Sequence, residues 1–348
     1  MSRTDRMQAD LERGFEALEE GRLEDAAANL ERCKRIDRKH PDVITLAAAV
    51  ADATGDTVEA LAQYGALSEL RPDDPMPRIC MARIQLKDEE DPDAALETLE
   101  AVFDFIDEEA DLVEAIYVKT EALLARGEPQ AARAALAELA TSVIEDPDLA
   151  LDLGELALAA EDPPRALTWI ETARKLMREA DAPADDKRAF EADALHVIGR
   201  VHEATEDPAK MIAAWQQVRV LDLESPPGGL SVTEEELEQI ALDTLAELPP
   251  EIRARLEKVP ILIDDVASEA LVAEGLDPRA LGVFQGTAMP DAGSAVPAVT
   301  TILLFKRSLE RFATDEDHLA EEIRITVLHE TAHYFGLDED DLVKLGLD

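Results

Sequence analysis

The sequence predicts a mostly α chain in which an N-terminal α-solenoid of stacked helix pairs leads into a small C-terminal α+β domain. Three observations predict it. Self-similarity recurs every 34 residues through the first two-thirds of the chain. Aromatic residues are scarce while Ala and Leu abound, which favours close-packed helices over sheets. Beyond a Pro/Gly break, the texture changes to short apolar, β-branched runs of strand length. With 348 residues there is room for two or three domains, each with its own core.

The repeat register sets the first elements. Gly21 and Gly55 are one period apart, as are Ala26 and Ala60, Leu30 and Tyr64, and Cys33 and Leu67, and Pro72 closes the second unit. A small residue near the turn lets two helices approach, an Ala at the start of the second helix permits close crossing, and the apolar residues four and seven positions on face the first helix. The pattern continues with Ala95, Leu99 and Val102, then Gly127, Ala132, Leu136 and Leu139, then Ala166, Ile170 and Ala173. A longer connection, Ala180 to Lys187, precedes a sixth copy at Gly199, Met211, Trp215 and Val218. At these positions the chain resembles the tetratricopeptide repeat (TPR) family, with about six units over roughly residues 7 to 224, although the family's usual helix-A Trp and Tyr are mostly replaced by Ala, Leu or Ile. Such units stack because one helix pair cannot cover its own apolar face, and stacking forms a concave groove. The resemblance implies a groove for a protein or peptide partner. The same array could also serve as a spacer or a dimerisation platform.

Ser225-Pro226-Pro227-Gly228-Gly229 cannot continue a helix, because Pro lacks the amide donor and Gly is entropically costly there. The expected organisation is therefore a repeat domain over 1–224, a linker over 225–230 and a second domain over 231–348. Thr233 to Leu248 reads as an acidic helix with Ser231 or Thr233 as N-cap. Strands are expected at Val259 to Ile263, at Leu281 to Gly286 and at Val299 to Phe305, which together make a small sheet. Thr314-Asp315-Glu316-Asp317 then opens a helix that runs to Phe335 and stops at Gly336.

That last helix contains His329-Glu330-Thr331-Ala332-His333. Residues i and i+4 share a helical face, so the two imidazoles converge on one ion while Glu330 projects beside them. Zinc accepts imidazole nitrogen and carboxylate oxygen, and a catalytic zinc takes three protein ligands. The turn at Gly336 brings Asp338, Glu339, Asp340 and Asp341 back as candidates for the third. Here the chain resembles the minimal zincin-like metallopeptidases, small bacterial domains with the pattern HExxHxxGxx followed by an acid. The resemblance is closest over Thr301 to Gly346, where Leu303-Leu304-Phe305-Lys306-Arg307 supplies the family's strand ending in an aromatic and two basic residues, and it extends more weakly back to Val259. Where the family usually has Asp, this chain has Glu339. The resemblance implies His329 and His333 as zinc ligands, Glu339 as the third with Asp340 as the alternative, and Glu330 as general base. It also implies peptide-bond hydrolysis, with the zinc polarising the scissile carbonyl and Glu330 passing a proton to the leaving amine. The strand Val299 to Phe305 is then the candidate for aligning an extended substrate. The competing reading is an adaptor whose zincin-like domain binds metal without proteolysis.

Other histidines are weaker candidates. His318 lies roughly 16 Å along the helix from His329 at the helical rise, too far to share its ion, and reads as a solvated first-turn residue. His40, His196 and His202 fall in the repeats without a matching acid pattern. Tyr334 either assists an oxyanion or packs on the sheet. No Met follows His333, so the Met-turn of larger metzincins is absent.

The net charge of −44 argues against nucleic acid or an anionic membrane as partner, since both recruit Lys and Arg, and favours basic or unfolded protein segments. It equally fits a need for solubility or a salty cell interior. The first fifteen residues, Met1 to Phe15, have no apolar run, and no window could span a bilayer, so a cytoplasmic protein is expected. Cys33 and Cys80 sit in apolar helical patterns and read as buried reduced thiols.

Overall fold

The computed structural model describes residues 2–225, 230, 232–256, 259–286 and 301–335, with the side chains of 251, 252 and 255 also left aside. It divides into two compact units, residues 1–169 and 170–348. The expected linker lies mostly at positions outside the described residues.

The first unit is made of antiparallel helix pairs: α1 (Arg3–Glu19) with α2 (Leu23–Asp37), α3 (Pro41–Ala53) with α4 (Thr57–Leu70), α5 (Met76–Lys87) with α6 (Pro92–Glu100), and α7 (Glu109–Ala125) with α8 (Pro129–Ala137). A fifth pair, α9 (Pro147–Ala159) and α10 (Pro163–Glu179), follows, and α10 crosses the division between the units. The helices start where the chain supplies caps. Asp56, Asp91 and Asp146 accept backbone amides at the starts of α4, α6 and α9, and Pro occupies the first turn of α3, α6, α8 and α9. His40 caps α3 through its ring nitrogen.

Each pair turns on one residue in the left-handed region: Gly21, Gly55, Glu90, Gly127, Glu161 and, in the second unit, Glu206. Glycine adopts that conformation without steric cost, and Glu pays a modest penalty there. The steps between these residues are 34, 35, 37, 34 and 45. The third and fifth steps depart most from the 34-residue period, and the fifth is the longer connection expected before the sixth copy. The residue five positions after each turn, Ala26, Ala60, Ala95, Ala132, Ala166 or Met211, is buried, and the five alanines are fully so. Successive cores join α1 to α3, then α3 to α5, then α5 to α7. Cys33 and Cys80 are free and buried in them.

In the second unit, α11 (Ala184–Ala204) and α12 (Pro208–Glu224) form the sixth pair. The connection before it is only the short stretch between Glu179 and Ala184, because α11 begins within the segment read as a loop. Gly199, read as part of the sixth repeat signature, lies inside α11. A Cβ there would fall 1.9 Å from Trp215 Nε1, so the glycine admits the buried indole ring. Then come α13 (Glu234–Glu247), opened by a Thr233/Glu236 capping box, and α14 (Pro250–Leu256).

The sheet follows: β1 (Ile261–Asp264), then α15 (Glu269–Ala273), β2 (Gly282–Gln285) and β3 (Thr301–Phe305). Its order is β1-β3-β2, with β1 parallel and β2 antiparallel to β3. All five residues of β3 are buried. Short α16 (Lys306–Phe312) and long α17 (Glu316–Tyr334) complete the described chain. Leu237 and Ala241 of α13, Ile302 and Leu304 of β3, Leu309 of α16, and Leu319, Ile323 and Val327 of α17 share one core. No helix of the described residues is long and apolar enough to cross a membrane.

Candidate metal centre

Helix α17 is fixed at its start by Asp315, whose carboxylate accepts the His318 amide at 2.8 Å, and by acidic residues in the first turn. His318 is half-buried rather than solvated. Its Nδ1 accepts the Thr314 amide at 3.1 Å, its Nε2 lies 3.2 Å from Glu322 and its ring packs against Phe312. One stripe of α17 is buried: Leu319, Ile323, Thr326, Val327, Glu330 and Thr331. That periodicity turns His329 and His333 to the half-exposed edge of the same helix.

There the two imidazoles meet. His329 Nε2 and His333 Nε2 are 3.0 Å apart, with ring centroids at 4.7 Å and planes at 75°. Two nitrogens bound to one tetrahedral zinc at ordinary bond lengths stand about 3.3 Å apart. The pair is within a few tenths of an ångström of that spacing, so its donor chemistry and geometry fit a zinc ion. Glu330 between them is 6% exposed, a carboxylate withdrawn from bulk water. Among the described residues no group of three or more His, Cys, Asp or Glu is placed so as to hold a metal ion. The third-ligand candidates Glu339 and Asp340, together with Asp338, Asp341 and the turn residue Gly336, lie outside the described residues.

Strand β2 flanks this helix. Gly282 approaches so closely that a Cβ on it would lie 2.8 Å from Thr326 Cγ2, and Phe284 packs its ring at 5.8 Å from that of Tyr334. Tyr334 thus meets the sheet, the second of its two expected roles. Strand β3 does not have the role expected of it. It is paired along both sides, with β1 and with β2, so its backbone groups are already committed to the sheet. Among the described residues β2 pairs only with β3, which makes β2 the edge beside the metal helix.

The basic pair after β3 also finds partners. Lys306 approaches buried Glu310 at 3.8 Å, and Glu310 accepts the Val232 amide at 3.0 Å. Arg307 donates to the carbonyls of Asp222, Leu223 and Ser225 at the end of α12. Asp193, Asp222, Arg279 and Arg311 form a lattice of ion pairs in the same seam, and His196 faces both oxygens of Asp277 at 3.0 and 2.9 Å. Sequence reasoning passed over Asp193, Asp222, Asp277, Arg279 and Arg311, and found no acid to match His196. Their partners lie 57 to 118 positions away, and no local spacing marks them.

A helix that presents two converging imidazoles and a buried carboxylate beside the edge of a small sheet defines a zincin-like domain, here in a chain of paired-helix repeats. Comparison with known proteins agrees on both parts. The family model of zincin-like metallopeptidases matches residues 256–347, and that of the tetratricopeptide repeat matches residues 17–84. The chain therefore carries a zincin-like metallopeptidase domain together with tetratricopeptide repeats. No curated protein matches it. Among solved structures it is similar to PilW, a type IV pilus biogenesis factor, at 13% identity and a TM-score of 0.50 over 62% of this chain and 92% of that one. PilF of Pseudomonas aeruginosa aligns at 15% identity and a TM-score of 0.49 over 63% of this chain and 93% of that one. At such identity the PilW likeness supports the repeat fold alone.

Proposed function

We propose that the chain is a zinc-dependent peptidase whose repeat array recruits a protein substrate or partner. The observation that carries this reading is the convergence of His329 and His333 on one point beside the buried carboxylate of Glu330. His329, His333 and one carboxylate, Glu339 or else Asp340, hold the zinc. Zinc held so supplies a Lewis acid and lowers the pKa of water. Glu330, adjacent to a ligand and shielded from solvent, takes a proton from the attacking water and returns it to the leaving amine. The outer edge of β2 replaces β3 as the candidate for aligning an extended substrate by backbone pairing.

The test compares the purified chain with its Glu330→Gln variant in metal analysis and in cleavage of a broad library of unfolded peptides. The expected result is about one zinc per chain in both proteins, as one three-ligand site requires. Cleavage should fall by about 10²–10⁴-fold in Glu330→Gln, the usual worth of a positioned acid–base group. Equal cleavage by both proteins would remove Glu330 from the mechanism. A zinc-loaded wild type that cleaves nothing would favour the adaptor reading, in which the repeats bind a partner and the zincin-like domain does not turn over.

A further inference from the structure

The geometry points to the last helix pair, α11–α12, as the support that sets the position of edge strand β2, with Arg279 as a positioning residue for the site. The inference rests on the peptidase reading for its functional consequence, but not for its structural one.

The segment that leads into β2 is held to the helix pair along its length. At its start, Arg219 of α12 donates to the Ala267 carbonyl at 2.7 Å and Gln216 donates to the Glu269 carbonyl at 2.9 Å. Further on, His196 of α11 meets the Asp277 carboxylate, whose Oδ1 also accepts the Arg279 amide at 2.8 Å. Arg279 itself, three residues before β2, is mostly buried. Its Nε and Nη2 fork onto the two oxygens of Asp222 on α12 at 2.9 and 3.1 Å, and its Nη1 reaches Asp193 on α11 at 2.8 Å. A planar guanidinium bound bidentately on one side and singly on the other is fixed in direction as well as place. Arg311 of α16 closes the lattice on the same two acids, at 2.8 Å to Asp222 and 3.6 Å to Asp193.

Past Arg279 the chain enters β2 at Gly282, whose backbone rides on Thr326 of α17, one turn before His329. The helix pair thus reaches β2 through Arg279 and Asp277, and β2 reaches the metal helix at Gly282 and Phe284. With Asp193 and Asp222 neutralised, the Arg279 guanidinium, at 15% side-chain exposure, is left without its charge partners in a partly desolvated place, and the segment has reason to move. A strand displaced along α17 presents its edge to substrate in the wrong register, which weakens binding more than it slows the chemical step.

The experiment uses full-length protein and hydrogen exchange read by mass spectrometry. In Asp193→Asn/Asp222→Asn, amides in 277–286 should exchange at least about tenfold faster than in wild type, while those of β1 stay within about twofold. Arg279→Lys, which keeps the charge and loses the fork, should give a smaller acceleration of the same segment. It also serves as the test if the double variant does not fold. Asp162→Asn, at a comparably buried ion pair in the first unit, should leave 277–286 unchanged. Where the wild type cleaves peptide, the lattice variants should raise KM more than they lower kcat and should retain zinc. Unchanged exchange in 277–286, or acceleration shared equally by β1, would overturn the inference. A wild type that binds zinc and cleaves nothing, with the exchange pattern as expected, would sink the peptidase reading and leave the support of β2 standing.

Discussion

Replacing Gly282 with alanine tests directly whether β2 is seated on the metal helix. The new Cβ would lie 2.8 Å from Thr326 Cγ2, 3.0 Å from the Leu303 carbonyl oxygen and 3.3 Å from Leu304 Cδ2. Carbon atoms in contact settle at about 3.5–4.0 Å, so the shortest approach must open by roughly 1 Å. Thr326 cannot swing aside, because it is 5% exposed and a β-branched side chain on a helix has few χ1 choices. The Leu303 oxygen belongs to the sheet. The strand must therefore lift from α17. Overpacking of this kind costs about 1–3 kcal/mol, against at most about 1 kcal/mol gained by restricting the unfolded chain, so Gly282→Ala should lose about 1–2 kcal/mol. The assay is urea unfolding at constant m. Thr326→Ser removes the obstructing methyl and alone costs about 1 kcal/mol, but in the alanine background it should relieve the worst contact. A coupling of about 1 kcal/mol is then expected in the double-mutant cycle. In the peptidase assay, a shift of roughly 1 Å beside the site should cost up to about 10²-fold in activity with zinc retained. A Gly282→Ala chain as stable as wild type, with no coupling to Thr326→Ser, would refute the seating of β2 on α17.

Four further outcomes are expected. Gly199→Ala drives a methyl into the ring of Trp215, which is 2% exposed, and should destabilise by about 1–3 kcal/mol in thermal unfolding. Gly65→Ala in α4 meets nothing within 4 Å and should stabilise by about 0.5–1 kcal/mol. Burial opposes ionisation of Asp277, but the hydrogen bond and charge of His196, with the Arg279 amide and guanidinium, outweigh it and hold the carboxyl below its usual range. A depressed folded-state pKa gives stability that is present above the unfolded value of about 3.9 and is lost as pH falls through the folded value. Wild type should therefore exceed Asp277→Asn in stability near neutral pH, with the gap closing in unfolding curves taken below about pH 4. Burial raises the pKa of both Cys33 and Cys80, and at Cys80 it outweighs Arg83 and Tyr64, which act the other way. Both thiols should resist alkylation in native protein and react readily in denaturant, as followed by mass spectrometry.

Much of the fold is written locally and was legible for that reason. The repeats show because each turn takes a left-handed residue, glycine in three of the six, and five of the six carry Ala five positions later. Where Glu90, Glu161 and Glu206 take that conformation instead, no glycine marks the turn, and those units are read from their apolar positions alone. The strands showed as β-branched runs, and α13 showed through its capping box. Helix α16 did not, because it springs directly from β3 with Phe305 at its N-cap position and no side-chain cap bond. At the site, the i, i+4 histidine pair is a local pattern and the structure brings it together. Which strand lies at the sheet edge depends on strand order, which no local pattern encodes. The expectation for β3 therefore failed while its position was right.

The same distinction governs the charges. With 78 acidic and 34 basic residues, Asp193 and Asp222 look like any of the surplus acids, and a surplus acid is ordinarily a solvated one. Asp222 is instead 7% exposed and shared by two arginines. Basic residues are the scarce component, so their placement carries more information than that of the acids. Arg279, Arg307 and Arg311 all gather at the end of α12, where the helix dipole leaves partial negative charge and Arg307 takes three carbonyls. Three cations drawn from so few, set against one helix pair, tie α11–α12 to the segments that precede and follow the edge strand. In this chain the last pair of the repeat series thus does structural work for the zincin-like domain, a role separate from that of the earlier pairs.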